Sequence, residues 1–183
     1  MRKVLTQKFF DHPTLSVAHG LLGKFLVRKI GGRTIPVMIT EVEAYDGPRD
    51  RASHASRGET ERNKPMFGGA GSFYVYFTYG MHWMLNIVTG PEGYPAAVLI
   101  RGGLVVKNNR SRGKNLRGPA VLTRYLKIGR KFNNLKASRK NGLWFEDRGV
   151  KTEGSKIKKG RRVGVDHAGK WAAKPYNFSL SVH

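Results

Sequence analysis

Short apolar segments broken by turn residues run along much of the N-terminal two-thirds of the chain. A helical spacing comes first. Leu15, Ala18, Leu21 and Leu22 make one apolar face of a short helix over 11–23, with Asp11 as its cap, Pro13 in its first turn and Gly23 at its end. Period-two segments follow at Lys24–Ile30 and Ile35–Ala44, joined through Gly31-Gly-Arg33, which predicts a hairpin. A second hairpin is predicted from Ser72–Thr78 and His82–Thr89, with Tyr79-Gly80-Met81 at its tip. On its first strand Phe73, Val75 and Phe77 read as core, and Tyr74, Tyr76 and Thr78 occupy the other face. A further strand is predicted at Ala96–Arg101 and a helix at Leu116–Ile128, entered at Gly118-Pro119. Residues 46–71 are polar and turn-rich, and so long an irregular stretch in a compact domain is commonly functional. The C-terminal tail shows short apolar runs between basic patches. At 183 residues the chain fits one domain, over residues 1–183.

Two residues break the apolar pattern where it is strongest. Glu41 and Glu43 fall on the strand face of Ile35, Val37 and Ile39 if the period of two is unbroken, while Met38, Val42 and Ala44 fill the other face. A carboxylate among apolar neighbours is costly unless it is paired or has a task. Two readings stay open: a structural ion pair with one of the arginines, or a carboxylate held in a pocket as a general base. Tyr45, the Gly47-Pro48 turn and His54 follow at once and suit a pocket rim, although His54 by itself reads equally as a hydrogen-bonded structural histidine. Tyr79, at a hairpin tip, either packs back onto the sheet or stands free as a wedge between stacked bases.

Charge narrows the partners. The 183 residues carry 34 Lys and Arg against 12 Asp and Glu, a formal net charge of +22. Residues 1–100 hold 12 basic and 8 acidic side chains, a net of +4, and residues 101–183 hold 22 and 4, a net of +18. A field so positive favours a polyanion, of which nucleic acid is the commonest. No segment has the length and apolarity of a membrane span, and the N-terminus has no long apolar run after its charges, so neither membrane insertion nor a signal peptide is expected. The absence of cysteine excludes disulfides and thiolate chemistry and fits an intracellular location, cytoplasm and nucleoid or a nucleus. The six histidines show no metal-ligand spacing, and there is no phosphate-binding P-loop. Glu41, Glu43, Asp46 and Asp50 leave open an Mg²⁺-dependent nuclease, and the charge alone leaves open a non-catalytic nucleic-acid-binding protein.

Taken together, Thr40-Glu-Val-Glu-Ala-Tyr45, Gly47-Pro48, His54, Arg62-Asn63, Met66-Phe67, Tyr74-Val-Tyr76, Tyr79-Gly-Met81, Asn86-Ile87, Arg101 and Arg162–Pro175 resemble the alkyladenine (3-methyladenine) DNA glycosylases, in order and over almost the whole chain. The resemblance implies a base-excision repair enzyme, a monomer that flips alkylated or deaminated purines out of double-stranded DNA and hydrolyses the N-glycosidic bond, leaving an abasic site. It implies a mixed α/β domain of the α+β class, with a curved, mainly antiparallel sheet, flanking helices and a protruding β-hairpin. It assigns Glu43 as the base that activates water and Arg101 as the residue that helps hold that water. Tyr45, His54 and Tyr76 would contact the flipped base, Asn86 would line the pocket floor and oppose guanine, and Tyr79 would fill the gap in the duplex. No metal and no cofactor are implied, and water rather than a lysine is the nucleophile. Gly118-Pro-Ala-Val-Leu122 departs from the Gly-Pro-Gly-Lys-Leu of the family and puts a phosphate contact in question, and the extra residues Gly90–Pro95 are expected to reshape a loop near the pocket.

Overall fold

The fold is organised on one long strand. In the computed structural model, which describes residues 2–106 and 113–181, the chain runs β1 (Lys3–Val4), α1 (Gln7–Phe10), α2 (Thr14–Leu21), β2 (Phe25–Ile30), β3 (Arg33–Asp46), β4 (Phe73–Thr78), β5 (His82–Val88), β6 (Ala96–Val105), β7 (Asn115–Leu116), α3 (Pro119–Tyr125), β8 (Leu143–Asp147), β9 (Ile157–Gly160) and β10 (Asn177–Leu180). The strands form one antiparallel sheet in the order β1-β8-β2-β3-β6-β5-β4. β10 pairs the second half of β3 and β9, and β7 pairs β6. This is the α+β class expected, with β4 and β5 as the hairpin.

One face of the sheet carries the main core. Phe73 and Val75 of β4, Leu85 and Ile87 of β5, Val98 and Ile100 of β6, and Leu143 and Phe145 of β8 pack with Val17, Ala18 and Leu21 of α2 and Leu122 of α3. Large apolar side chains removed from water at alternate positions stabilise the sheet against these helices. Three local expectations are corrected. Asp11 does not cap α2: it closes α1, and Pro13 precedes the first helical residue, Thr14. The helix expected over 116–128 is the shorter α3, because Leu116 belongs to a strand pair with Gly103. Phe77 is not core; it is exposed beside Trp83, 4.8 Å between ring centroids.

The correction that matters most lies in β3. Its core-facing residues are Val37 and Ile39, then Val42 and Ala44, so the inward parity changes between 39 and 42. The pairing with β6 is irregular at the same level: Ile39 opposes Gly103, Glu41 opposes Gly102 and Val42 opposes Ile100. Each strand carries one extra residue there, so the register recovers while both strands turn over. Glu41 and Glu43 therefore face away from Val37 and Ile39, not with them. Glycine at 102 and 103 permits this close approach. A Cβ at Gly103 would collide with Val37, and one at Gly102 would sit 3.1 Å from the Glu41 Cβ.

Candidate active site

The face opposite α2 holds a cavity of about 650 Å³. Glu43 and Tyr45 reach it from β3, Tyr74 and Tyr76 from β4, Met84 and Asn86 from β5, and Leu99 and Arg101 from β6. Alternation along each strand puts the partners of these residues into the core, so the main core and the cavity are the two faces of the same strands. Tyr74 and Met66 form a small buried cluster behind the cavity wall with Ala55, Val88 and Ala97.

The long segment between β3 and β4 forms one wall. It winds through 3₁₀ turns at His54–Arg57 and Lys64–Phe67 and brings Arg51, His54 and Arg57 to the cavity. Asn63 fixes its path: the amide donates to the carbonyls of His54 at 3.0 Å and Gly58 at 2.9 Å, while its oxygen accepts from the Thr60 N–H at 2.7 Å. Buried backbone groups that lack a strand partner find one in that side chain. The expectation that residues 46–71 contribute to a site agrees with this placement.

The segment after β9 adjoins this wall, held to it by a buried ion pair and by Ala52 packing with Val165 and Ala168. Arg162 engages Asp50 with both terminal nitrogens, one at 2.8 Å, and also donates to the carbonyls of Ala44 at 2.9 Å and Trp171 at 3.2 Å. Its guanidinium stacks between Tyr45 and Tyr176, 4.9 and 5.1 Å from their ring centroids. Asp50 also accepts the N–H groups of Asp46 and Ala52, each at 3.1 Å. Both partners are fully buried, so removing one strands the charge of the other. Asp50→Ala is expected to cost about 3–5 kcal/mol of stability, read as a lowered denaturation midpoint.

That segment reaches the deepest residue. The Glu43 side chain has no exposed surface. Its Oε1 accepts the Val163 N–H at 2.8 Å and the Asn177 amide at 3.2 Å, with Arg101 Nε at 3.5 Å. Its Oε2 accepts the Tyr45 hydroxyl at 3.0 Å. Burial, then the Glu43 charge, raise the Tyr45 pKa well above its ordinary value, so Tyr45 keeps its proton and donates. The neighbouring Glu41 accepts Arg101 Nε at 2.9 Å and the Asn177 amide at 3.0 Å. The ion-pair reading therefore fits Glu41. Glu43 is instead a carboxylate in a concave site with one oxygen tied by several donors.

Asp50 belongs to Arg162, and Asp46 accepts from Thr14 at 3.0 Å and Tyr94 at 3.3 Å. Of the four acidic groups weighed for Mg²⁺, Glu41 and Glu43 share Arg101 and Asn177, and Asp46 and Asp50 are engaged elsewhere. Among the described residues no group of three or more histidine and carboxylate side chains is arranged to hold a metal ion.

The aromatic wall is neutral. His54 Nδ1 and the Tyr74 hydroxyl share a hydrogen bond of 2.9 Å, and the His54 and Tyr76 rings meet edge-on at 4.7 Å. Burial, then the charges of Arg62 and His167, lower the His54 pKa to about 4, which leaves the imidazole neutral at physiological pH. Burial pushes Tyr76 up to about 12. Asn86 donates its amide to the Tyr74 carbonyl at 3.0 Å, which orients it in the cavity floor. The cavity thus gathers all of Glu43, Tyr45, His54, Tyr76, Tyr79, Asn86 and Arg101.

A family model described as methylpurine-DNA glycosylase matches residues 8–183. The chain belongs to that family. Among relatives, a protein of Methanocella arvoryzae is 41% identical over 96% of this chain and 91% of its own length. A protein of an Anaeromyxobacter species is 44% identical over 96% and 88%, and one of Legionella pneumophila is 40% identical over 98% and 95%. All three bear the provisional name 3-methyladenine DNA glycosylase.

In this methylpurine-DNA glycosylase family member, the two departures noted in the sequence fall differently. Pro119 and Ala120, at the start of α3, line the cavity. Residues 90–95 do not; Tyr94 instead packs over Gly47, whose φ of +76° and lack of a side chain admit the ring. Sequence reasoning missed the Asp50–Arg162 pair, Asn177, Val163 and the organising role of Asn63. Asn63, Arg162 and Val163 lay within the family-like segments, and none had a role readable from spacing.

Proposed function

We propose that the protein is a monofunctional DNA glycosylase acting on damaged purines, as the names of its relatives suggest. It flips the nucleotide into the cavity and hydrolyses the N-glycosidic bond with a water activated by Glu43. The observation that carries this reading is Glu43 itself, buried at a cavity floor with Oε1 fixed by the Val163 N–H and the Asn177 amide. A carboxylate so oriented can accept a proton from water and offset positive charge developing on the sugar. Tyr45, His54 and Tyr76 offer aromatic surface to a flipped base, Asn86 offers a floor that discriminates purines, and Arg101 helps hold the water. Extrusion is required because the reacting bond is otherwise enclosed by the stack.

The charge distribution supports a duplex substrate. Among the described residues, Glu43 is the only acidic one lining the cavity, against Arg51, Arg57 and Arg101. Exposed Lys158, Lys159 and Arg161 lead directly into the cavity wall. Of the basic residues in the C-terminal half, Lys107, Arg110 and Arg112 lie outside the described residues. Affinity for undamaged duplex is expected to fall steeply with salt, by about 0.9 log units per phosphate contacted for each tenfold rise in salt. A flat titration would mean that these residues do not meet DNA.

Among the described residues no lysine lines the cavity, and Lys64 is exposed beside Glu61. Water is therefore the proposed nucleophile. The test is a duplex with one modified purine, incubated in EDTA and analysed with and without alkali. Glycosylase activity leaves the strand intact until alkali cuts it at the abasic site, with no adduct trapped by borohydride. Scission without alkali that needs Mg²⁺ would favour a nuclease, and binding without product a non-catalytic protein.

A further inference from the structure

We infer that Glu41 is a positioning residue for the proposed reaction, acting through Arg101 to keep Glu43 available as a base. The inference rests on the glycosylase reading and adds a role that neither the cavity lining nor the sequence pattern assigns. Glu41 lies outside the cavity, whereas Arg101 and Glu43 line it. The Arg101 Nε is 2.9 Å from Glu41 Oε1 and 3.5 Å from Glu43 Oε1. The Asn177 amide divides in the same sense, 3.0 Å from Glu41 and 3.2 Å from Glu43. Two carboxylates thus share two donors, and Glu41 takes the shorter contact of each.

The arrangement depends on the double irregularity of β3 and β6. Turning both strands over at Glu41 and Arg101 brings Glu41, Glu43 and Arg101 to the same side of the sheet, and β10 then lays Asn177 opposite Glu43. The chemical consequence follows from competition for one cation. A guanidinium paired fully with a carboxylate makes that carboxylate a weaker base. Glu41 draws the guanidinium to itself, which limits that effect on Glu43 and fixes the plane in which Arg101 meets the cavity. Without the Glu41 charge, Arg101 has Glu43 as its nearest carboxylate partner and swings toward its Oε1, leaving the position in which it meets the cavity and the water.

Glu41→Gln keeps the shape and removes the charge. Its single-turnover base release at saturating enzyme is expected to fall roughly 10- to 100-fold, the scale of a misplaced catalytic group, while affinity for a duplex carrying a non-hydrolysable lesion analogue stays at the wild-type value. Because the effect runs through Arg101, adding Glu41→Gln to an Arg101→Gln protein should produce no further loss. Glu41→Asp, which retains the charge, should recover part of the rate and serves as the second variant if Glu41→Gln melts early. A wild-type rate in Glu41→Gln, a loss matched by weaker DNA binding, losses that multiply in the double variant, or a Glu41→Asp no better than Glu41→Gln would each overturn the role. Wild-type protein that releases no base would instead sink the glycosylase reading itself.

Discussion

Glu43→Gln is expected to reduce base release by about 10²–10⁴-fold, the range typical for removing a general base, and to leave lesion binding largely intact. Glutamine can still accept the Val163 N–H at the position of Oε1, so the segment after Arg162 keeps its anchor. The amide nitrogen replaces an acceptor that meets the Tyr45 hydroxyl, which loses one hydrogen bond, about 1 kcal/mol. That cost falls on stability and is small beside the chemical effect. A variant that retains near wild-type single-turnover rates would move the base elsewhere, with Glu41 the neighbour to examine next.

Tyr79→Ala is expected to damage flipping rather than bond cleavage. Tyr79 and Gly80 both have positive φ, +51° and +65°, and the Met81 N–H returns to the Thr78 carbonyl at 3.2 Å. Thr78 pairs with His82, so residues 79–81 form the loop, and Tyr79 holds a positive φ that a non-glycine residue adopts at a cost of about 1–3 kcal/mol. The Tyr79 side chain recovers little of that by packing, since 81% of it is exposed. A planar ring held out at the cavity mouth suits insertion into a base stack. Stacking of a base on an aromatic side chain is worth about 1–3 kcal/mol, so the flipped population should fall roughly 10- to 100-fold. The loss should be greater for a well-paired lesion than for a mismatched one, where less stacking is broken. Stopped-flow emission of ethenoadenine reports the extruded state directly. The exposed tip predicts an unchanged melting temperature, and an unchanged flipping equilibrium would remove the wedge role.

The two hairpins and the acidic segment around Glu41 and Glu43 were legible because they depend on short apolar runs and the turns between them, while the class of fold came with the family resemblance. Tyr74 and Tyr76 reached the correct face because β4 and β5 pair without interruption from Phe73–Ile87 to Thr78–His82. Glu43 was found for a partly wrong reason. The unbroken period of two put it among Val37 and Ile39, whereas the irregularity between Ile39 and Val42 turns it away from them. A bulge leaves the composition of a strand unchanged, so alternation could not reveal it.

The rest of the site depends on distant pairing. Asp50 meets Arg162 across 112 residues, and Glu43 meets Asn177 across 134. Nothing local distinguishes Arg162 from the other basic residues of the tail. The strands β9 and β10 were equally obscure. Lys158 and Lys159 both remain exposed in β9, so the apolar alternation that marks a buried strand is lost there. The roles given to Tyr45, Arg101 and Asn86 came from the family resemblance. What the folded chain adds is their convergence on one cavity with Glu43.

The central claim, that this cavity releases a damaged purine as the free base using water, is tested most directly by chromatography of the small-molecule product. A duplex with one ethenoadenine or hypoxanthine, and separately one 3-methyladenine, is incubated with excess protein in EDTA, and the free base is quantified against time. The expected result is free base from at least one lesion, with a first-order time course and an equal yield of alkali-labile sites. Intact damaged strands with no free base from any of the three, under conditions where the duplex is bound, would contradict the account.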